Sequence, residues 1–211
     1  MKATTSPVRS FLSLAGAAGI AVPILMWTAF LVFGLTHPGY NLLLDVASRL
    51  GMKGTTNALI FNIVHFYAAG TLLLIFAVGL WAADMGRASR VAAAIIAVVA
   101  VAQILSGYFS LDPDSRSASM LHENLGLPPI LGIPAAALLM APALHGARRT
   151  ISVGVAALLG LMILTLILLM ALGMDVAIGL FQRLYIGVMS VWIVTVGLWL
   201  RNLDATRPAV R

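Results

Sequence analysis

Asp45, His65, Asp112 and His122 are ionisable groups in a chain that is otherwise mostly apolar. Imidazole and carboxylate are the side chains that hold a divalent ion such as Zn²⁺ or exchange protons with a substrate. Ser48 follows Asp45 by three residues and could orient a substrate or a water. These five form the candidate catalytic set, with His65, Asp112 and His122 as candidate metal ligands. A divalent metal is the cofactor such donors would take, and a bis-histidine haem on His65 and His122 is the outside alternative. No H-E-x-x-H spacing accompanies them, and the absence of cysteine excludes thiolate catalysis and cysteine-ligated metal.

Each candidate also has a structural reading. If a helix starts at Asn57, His65 lies about 12 Å along it at 1.5 Å per residue. Asn57, Phe61 and His65 then share a face by i, i+4 spacing, with Asn62 beside them. An ionisable group at that depth faces a cavity or the bundle interior, or is an imidazole bonded to a neighbouring helix. Gln103 and Ser106 lie at comparable depth on the next apolar segment and suit interhelical hydrogen bonds. Asp45 with Arg49 and Asp112 with Arg116 are i, i+4 pairs in the acid-first order that favours a local ion pair.

The elements that position these residues are apolar helices. Of 211 residues, 61% are hydrophobic and 9% charged, whereas soluble domains carry about 25% charged residues. Apolar segments over about 11–35, 58–82, 91–111, 121–144, 151–173 and 180–200 each have the roughly 20 residues needed to cross a bilayer. The predicted fold is therefore all-α: a single domain over 1–211, a polytopic bundle of six transmembrane helices with the lipid bilayer as its partner. The run from Phe11 to Leu35 exceeds a signal-peptide core of roughly 7–15 residues and reads as an uncleaved first span. The net charge of +6 is a topology signal rather than a sign of nucleic-acid binding.

Lys2, Arg9, Arg87, Arg90, Arg148, Arg149, Arg201, Arg207 and Arg211 fall on one side, nine of the thirteen basic residues. Arg49, Lys53, Arg116 and Arg183 fall on the other. The positive-inside rule then places both termini in the cytoplasm of a plasma (inner) membrane protein. Asp45, Asp112, Asp114, Glu123 and Asp175 gather on the outward side, with Asp84 and Asp204 inward. Trp81, Trp199, Tyr40, Tyr108 and Tyr185 fall at helix ends as interfacial anchors, while Trp27 and Trp192 are mid-span packing residues. Prolines at 128, 129, 134 and 142 predict a broken fourth helix just after His122, a candidate pocket wall. The fifth span, nearly all aliphatic around Thr165, reads as lipid-facing scaffold, with Ala156 and Gly160 as a small-residue contact.

The pattern L-D-x-x-S-R occurs at 44–49 and again at 111–116, so the first four helices could be two related hairpins. The stretch HPGYNLLLDVASRLG, the Asp112 and His122 segment and the closing GLFQRLYIGVMSVWIVTVGLWL resemble the prokaryotic domain of unknown function 998 family. That resemblance implies a six-helix membrane protein without a settled activity, with Asp45, Ser48, Asp112 and His122 as matching positions. Three functions stay open. One is an enzyme acting on a lipid or lipid-linked substrate at the outer leaflet. The others are a small transporter or channel, and a non-catalytic membrane scaffold subunit.

Overall fold

The computed structural model describes residues 7–203 and is built from helices with no strand among them. Lys2, Asp204, Arg207 and Arg211 of the topology count lie outside the described residues. Six helices are long and apolar enough to span a bilayer: α1 (Pro7–Thr36), α2 (Ala58–Ala82), α3 (Arg87–Tyr108), α4 (Arg116–Ala143), α5 (Ala147–Ala171) and α6 (Ile178–Arg201). Their bounds differ from the hydropathy segments chiefly because polar first turns, such as Arg87 to Arg90 and Ala147 to Thr150, are helical too. Gly86 and Gly146, at φ 101° and 56°, supply the left-handed backbone that turns the chain between antiparallel helices at the basic end.

The helices form a closed ring in which each packs on its sequence neighbours and α1 closes against α6. Small residues bring the seams together. A Cβ on Gly16 of α1 would stand 2.5 Å from the Gly197 carbonyl of α6, so these two helices touch through backbone. The core fills with Phe30, Phe61, Phe76, Ile96, Ile133, Leu159 and Trp192, all essentially inaccessible. Trp192 is thus the mid-span packing residue predicted, and Trp27 donates to Ser190 at 3.3 Å. Of the predicted interfacial aromatics, Trp81 and Tyr108 are exposed, but Tyr185 and Trp199 are buried.

Two helices depart from regular α geometry. In α2 the stretch Asn62–Ala68 is π-helical, yet Phe61 and His65 still share a face, their rings stacked 4.9 Å apart. The wider turn frees the His65 carbonyl, which accepts a 3.0 Å bond from Gln103 Nε2 on α3. Gln103 is therefore the interhelical partner expected, whereas Ser106 Oγ turns back to Ala102 of its own helix. The fourth helix is interrupted at Gly126, between Arg116–Leu125 and Leu127–Met140.

Pro134 sits inside the second half of α4 and has no N–H for the Ile130 carbonyl. The Tyr185 hydroxyl on α6 donates to that oxygen at 2.5 Å. A freed carbonyl in an apolar surround has to be met by a side chain.

The fifth helix buries only Ser152, Val155 and Leu159, which fits a lipid-facing scaffold. Its key polar residue, however, is Ser152 rather than Thr165. Ser152 is 0% exposed, donates to the Ala137 carbonyl at 2.7 Å and accepts from Trp192 Nε1 at 2.8 Å. The predicted Ala156 and Gly160 contact does not form a seam, because Gly160 faces open space.

Tyr185→Phe will lower stability by about 1–3 kcal/mol, the cost of leaving a buried carbonyl unmet. The loss is read as a lower melting temperature in detergent. In a Pro134→Ala background the restored amide supplies the bond, and the Tyr185→Phe penalty should largely disappear. An equal penalty in both backgrounds would mean that Tyr185 acts by packing alone.

Candidate functional site

The connections at 37–57, 109–116 and 172–177 share one end of the ring, and the candidate residues gather there. The first connection is built around Asp45. Its Oδ2 accepts the Asn41 amide at 2.7 Å, and its Oδ1 takes the Arg49 guanidinium as the i, i+4 spacing predicted. Partial burial opposes ionisation of Asp45, but the Asn41 amide and Arg49, with Arg183 beyond, hold its carboxyl below the usual carboxylate range. Residues Ala47–Gly51 then form a 3₁₀ turn that buries Leu50, and Asn62 Nδ2 donates to the Gly51 carbonyl at 3.0 Å. Ser48 is half-buried on that turn, and its hydroxyl makes no hydrogen bond among the described residues.

The second L-D-x-x-S-R segment does not repeat the first. Asp112 pairs with Lys53 at 2.7 Å, not with Arg116, which is exposed. The Lys53 bond and the Asp114 amide hold the Asp112 carboxyl below its ordinary range. The Lys53 backbone also donates to the Leu111 carbonyl at 2.9 Å, so the two motif segments are laced together through Lys53.

The histidines lie deeper. His65 is 4% exposed and enclosed by Phe30, Phe61 and Phe66, with ring centroids 4.8, 4.9 and 4.7 Å away. Its Nδ1 is buried with no hydrogen-bond partner. His122 packs edge-on against the same Phe66 ring at 5.7 Å. Its Nδ1 lies 3.0 and 2.9 Å from the Ser106 and Phe109 carbonyls. Carbonyls only accept, so Nδ1 carries the proton there and the ring caps the C-terminal end of α3.

The two histidines therefore meet across Phe66, while Asp45, Ser48 and Asp112 remain at the loops. Among the described residues no group of three or more His, Asp or Glu side chains is placed to hold a metal ion. The predicted His65, Asp112 and His122 triad is not assembled as a ligand set, because Asp112 is drawn outward to Lys53.

Arg183, outside the five candidates, also belongs to this end of the bundle. It sits in the second turn of α6, only 8% exposed, and no carboxylate stands at ion-pair distance among the described residues. Nη1 donates to the Asp45 and Gly179 carbonyls at 3.0 and 2.7 Å, and Nη2 donates to the Tyr40 hydroxyl. Nε is buried and unpartnered. The guanidinium lies 5.8 Å from the Phe30 ring and 5.6 Å from the Tyr40 ring. Burial pushes the Tyr40 hydroxyl up, against the pull of Arg183, so it stays a protonated donor to the Asp45 and Val46 carbonyls. Gly179 is required: a Cβ there would come within 2.9 Å of Arg183 Nη1 and 2.5 Å of the Asp45 carbonyl. Leu180 N donates to the Leu43 carbonyl at 2.7 Å and Gln182 Oε1 accepts from the Ala47 amide at 2.8 Å, completing the clamp. The rule that singled out His65, an ionisable residue within an apolar span, applies equally to Arg183 in GLFQRLYIG.

A groove of about 460 Å³ runs along the bundle surface between α1 and α6. Trp27, Leu180, Leu184, Gly187, Val188 and Val191 line it, and Arg183 is its charged member. A second apolar groove of about 680 Å³ lies between α3 and α4, where Asn124, Leu127 and Pro128 flank the interruption of α4.

Six apolar helices closed in a ring, with buried polar groups concentrated at one end, define a membrane-type helical protein. The chain matches the family described as Protein of unknown function (DUF998) over residues 20–199, and it belongs to that family. No curated protein and no solved structure matches it.

The lowered carboxyl of Asp45 fixes a sign for pH dependence. Its folded value lies below an unfolded value of roughly 3.9, so the stabilisation is complete above that value and is lost as pH falls through the folded one. The melting-temperature gap between the wild type and Asp45→Asn should be constant from pH 7 to 5 and close below about pH 4. A gap that widens with acid would contradict the assignment.

Proposed function

We propose that this protein binds a membrane lipid or lipid-linked molecule at the outward end of its bundle, with the lipid chain lying in the α1–α6 groove. The groove itself, apolar along its length and meeting a buried cation towards the first turns of α6, is the observation that carries this reading. From Leu180 to Val191 it follows about 16 Å of helix at 1.5 Å per residue, long enough for much of one lipid chain. The orientation rests on charge. Arg9, Arg87, Arg90, Arg148, Arg149 and Arg201 belong to the end that the positive-inside rule assigns to the cytoplasm, which turns the Arg183 end outward.

Transport is the weaker reading. Among the described residues, the buried polar side chains Asn62, His65, Ser106, Ser110, His122 and Arg183 belong to one half of the bundle, and only Ser89 and Ser152 to the other. Among the described residues, two buried serines are all that would continue a polar route across the ring. Catalysis by Asp45, Ser48, His65, Asp112 and His122 is supported less than binding, because all but Ser48 and His65 already hold loop or helix-end groups.

Gly187 lines the groove, and its Cβ position would meet only Trp27, at 3.7 Å. Gly187→Leu should therefore fill the groove while leaving the fold intact. Native mass spectrometry of the detergent-purified protein should find lipid adducts on the wild type and at least about tenfold weaker retention on a folded Gly187→Leu variant. Equal retention would overturn the groove reading.

A further inference from the structure

We propose that Arg183 is an oxyanion fork, and that the molecule in the α1–α6 groove is a phospholipid whose phosphate the Nε and Nη2 edge of Arg183 binds. This deepens the lipid-binding reading and rests on it.

A guanidinium carries five N–H groups in a rigid plane and has no acceptor. The two on Nη1 are taken by the Asp45 and Gly179 carbonyls, and one on Nη2 by the Tyr40 hydroxyl. Two remain, the Nε–H and the second Nη2–H, on adjacent nitrogens. Paired donors of this kind meet two oxygens of one phosphate or carboxylate in a bidentate contact. Nε is buried without a partner, and leaving such a donor unmet is costly.

Charge points the same way. Arg183 is 8% exposed, yet its three partners are two carbonyls and a phenol, all formally neutral. The nearest carboxylate chemistry, Asp45, is spent on Arg49 and the Asn41 amide. Neutral partners position the cation without cancelling it, whereas an anion would both neutralise it and fill the fork. The residue lines a groove with an otherwise apolar wall, so the ligand must place an oxyanion directly beside a hydrocarbon chain. A glycerophospholipid does so by construction.

Clamping also sets the shape of the site. Tyr40, Gly179 and the Asp45 carbonyl fix the guanidinium plane from the loop side, and the Arg183 side chain lines the groove. Lysine would keep the charge but not the two parallel donors.

The test titrates the delipidated wild-type protein in detergent with dioleoyl phosphatidylglycerol and, separately, with dioleoylglycerol, which has the same chains and no phosphate. Native mass spectrometry reads the bound fraction. At least about tenfold preference for phosphatidylglycerol is expected, with Gly187→Leu weakening both lipids and Arg183→Lys removing the preference. Equal affinity of the wild type for the two lipids overturns the oxyanion fork while leaving the groove reading in place. Binding of neither lipid overturns both. The wild-type comparison decides the matter even if Arg183→Lys fails to fold.

Discussion

Every backbone polar group that an irregular helix releases into hydrocarbon has to be met from within the bundle, and much of this structure answers that requirement. The π-helical stretch of α2 releases the His65 carbonyl, and Gln103 meets it. Pro134 releases the Ile130 carbonyl, and Tyr185 meets it. The last carbonyls of α3 are met by His122, and the Ala137 carbonyl by Ser152. Each of these bonds crosses from one helix to another, so satisfying the backbone and fixing the helix order are one act. The apolar faces alone would leave rotation and register loosely set, because lipid tails compete equally for them.

The polar end follows the same logic with a charge at its centre. Arg183 reaches out of α6 to hold the Asp45 carbonyl and the Tyr40 hydroxyl, and Leu180 and Gln182 add two more ties to the same loop. Lys53 joins that loop to the start of the α3–α4 connection. Asp45 and Asp112 are the acidic counterparts of these ties. Their carboxylates are held ionised by amides and cations whose work is to fix loop geometry.

Much of the architecture was legible in the sequence. Apolar runs gave the six spans, and the one-sided distribution of Asp, His and Asn marked the polar end. The Asp45–Arg49 pair was readable because it is local, four residues apart on one turn. Asp112 was misread for the complementary reason: its partner Lys53 lies 59 positions away, and only the packing of α2 against α3 brings them together. The π-helical turn of α2 left no mark in a hydropathy pattern, which carries no information on the tertiary partner its carbonyl finds in Gln103. Arg183 was counted only among the outward-side basic residues, since a span boundary drawn at residue 180 made it look peripheral. Its burial depends on how the first connection folds over α6.

The thin attachment of α5 has a consequence for how the bundle comes apart. With three residues buried and Ser152 as its polar tether, α5 is the most thinly attached member of the ring. The units of a protein that hold fewest buried contacts are those that detach at the lowest free-energy cost. By that measure the fifth helix is the one that detaches most readily. Sideways parting of the ring begins at the α4–α5 and α5–α6 seams, away from the backbone-tight α1–α6 seam, so the bundle has a built-in direction of opening.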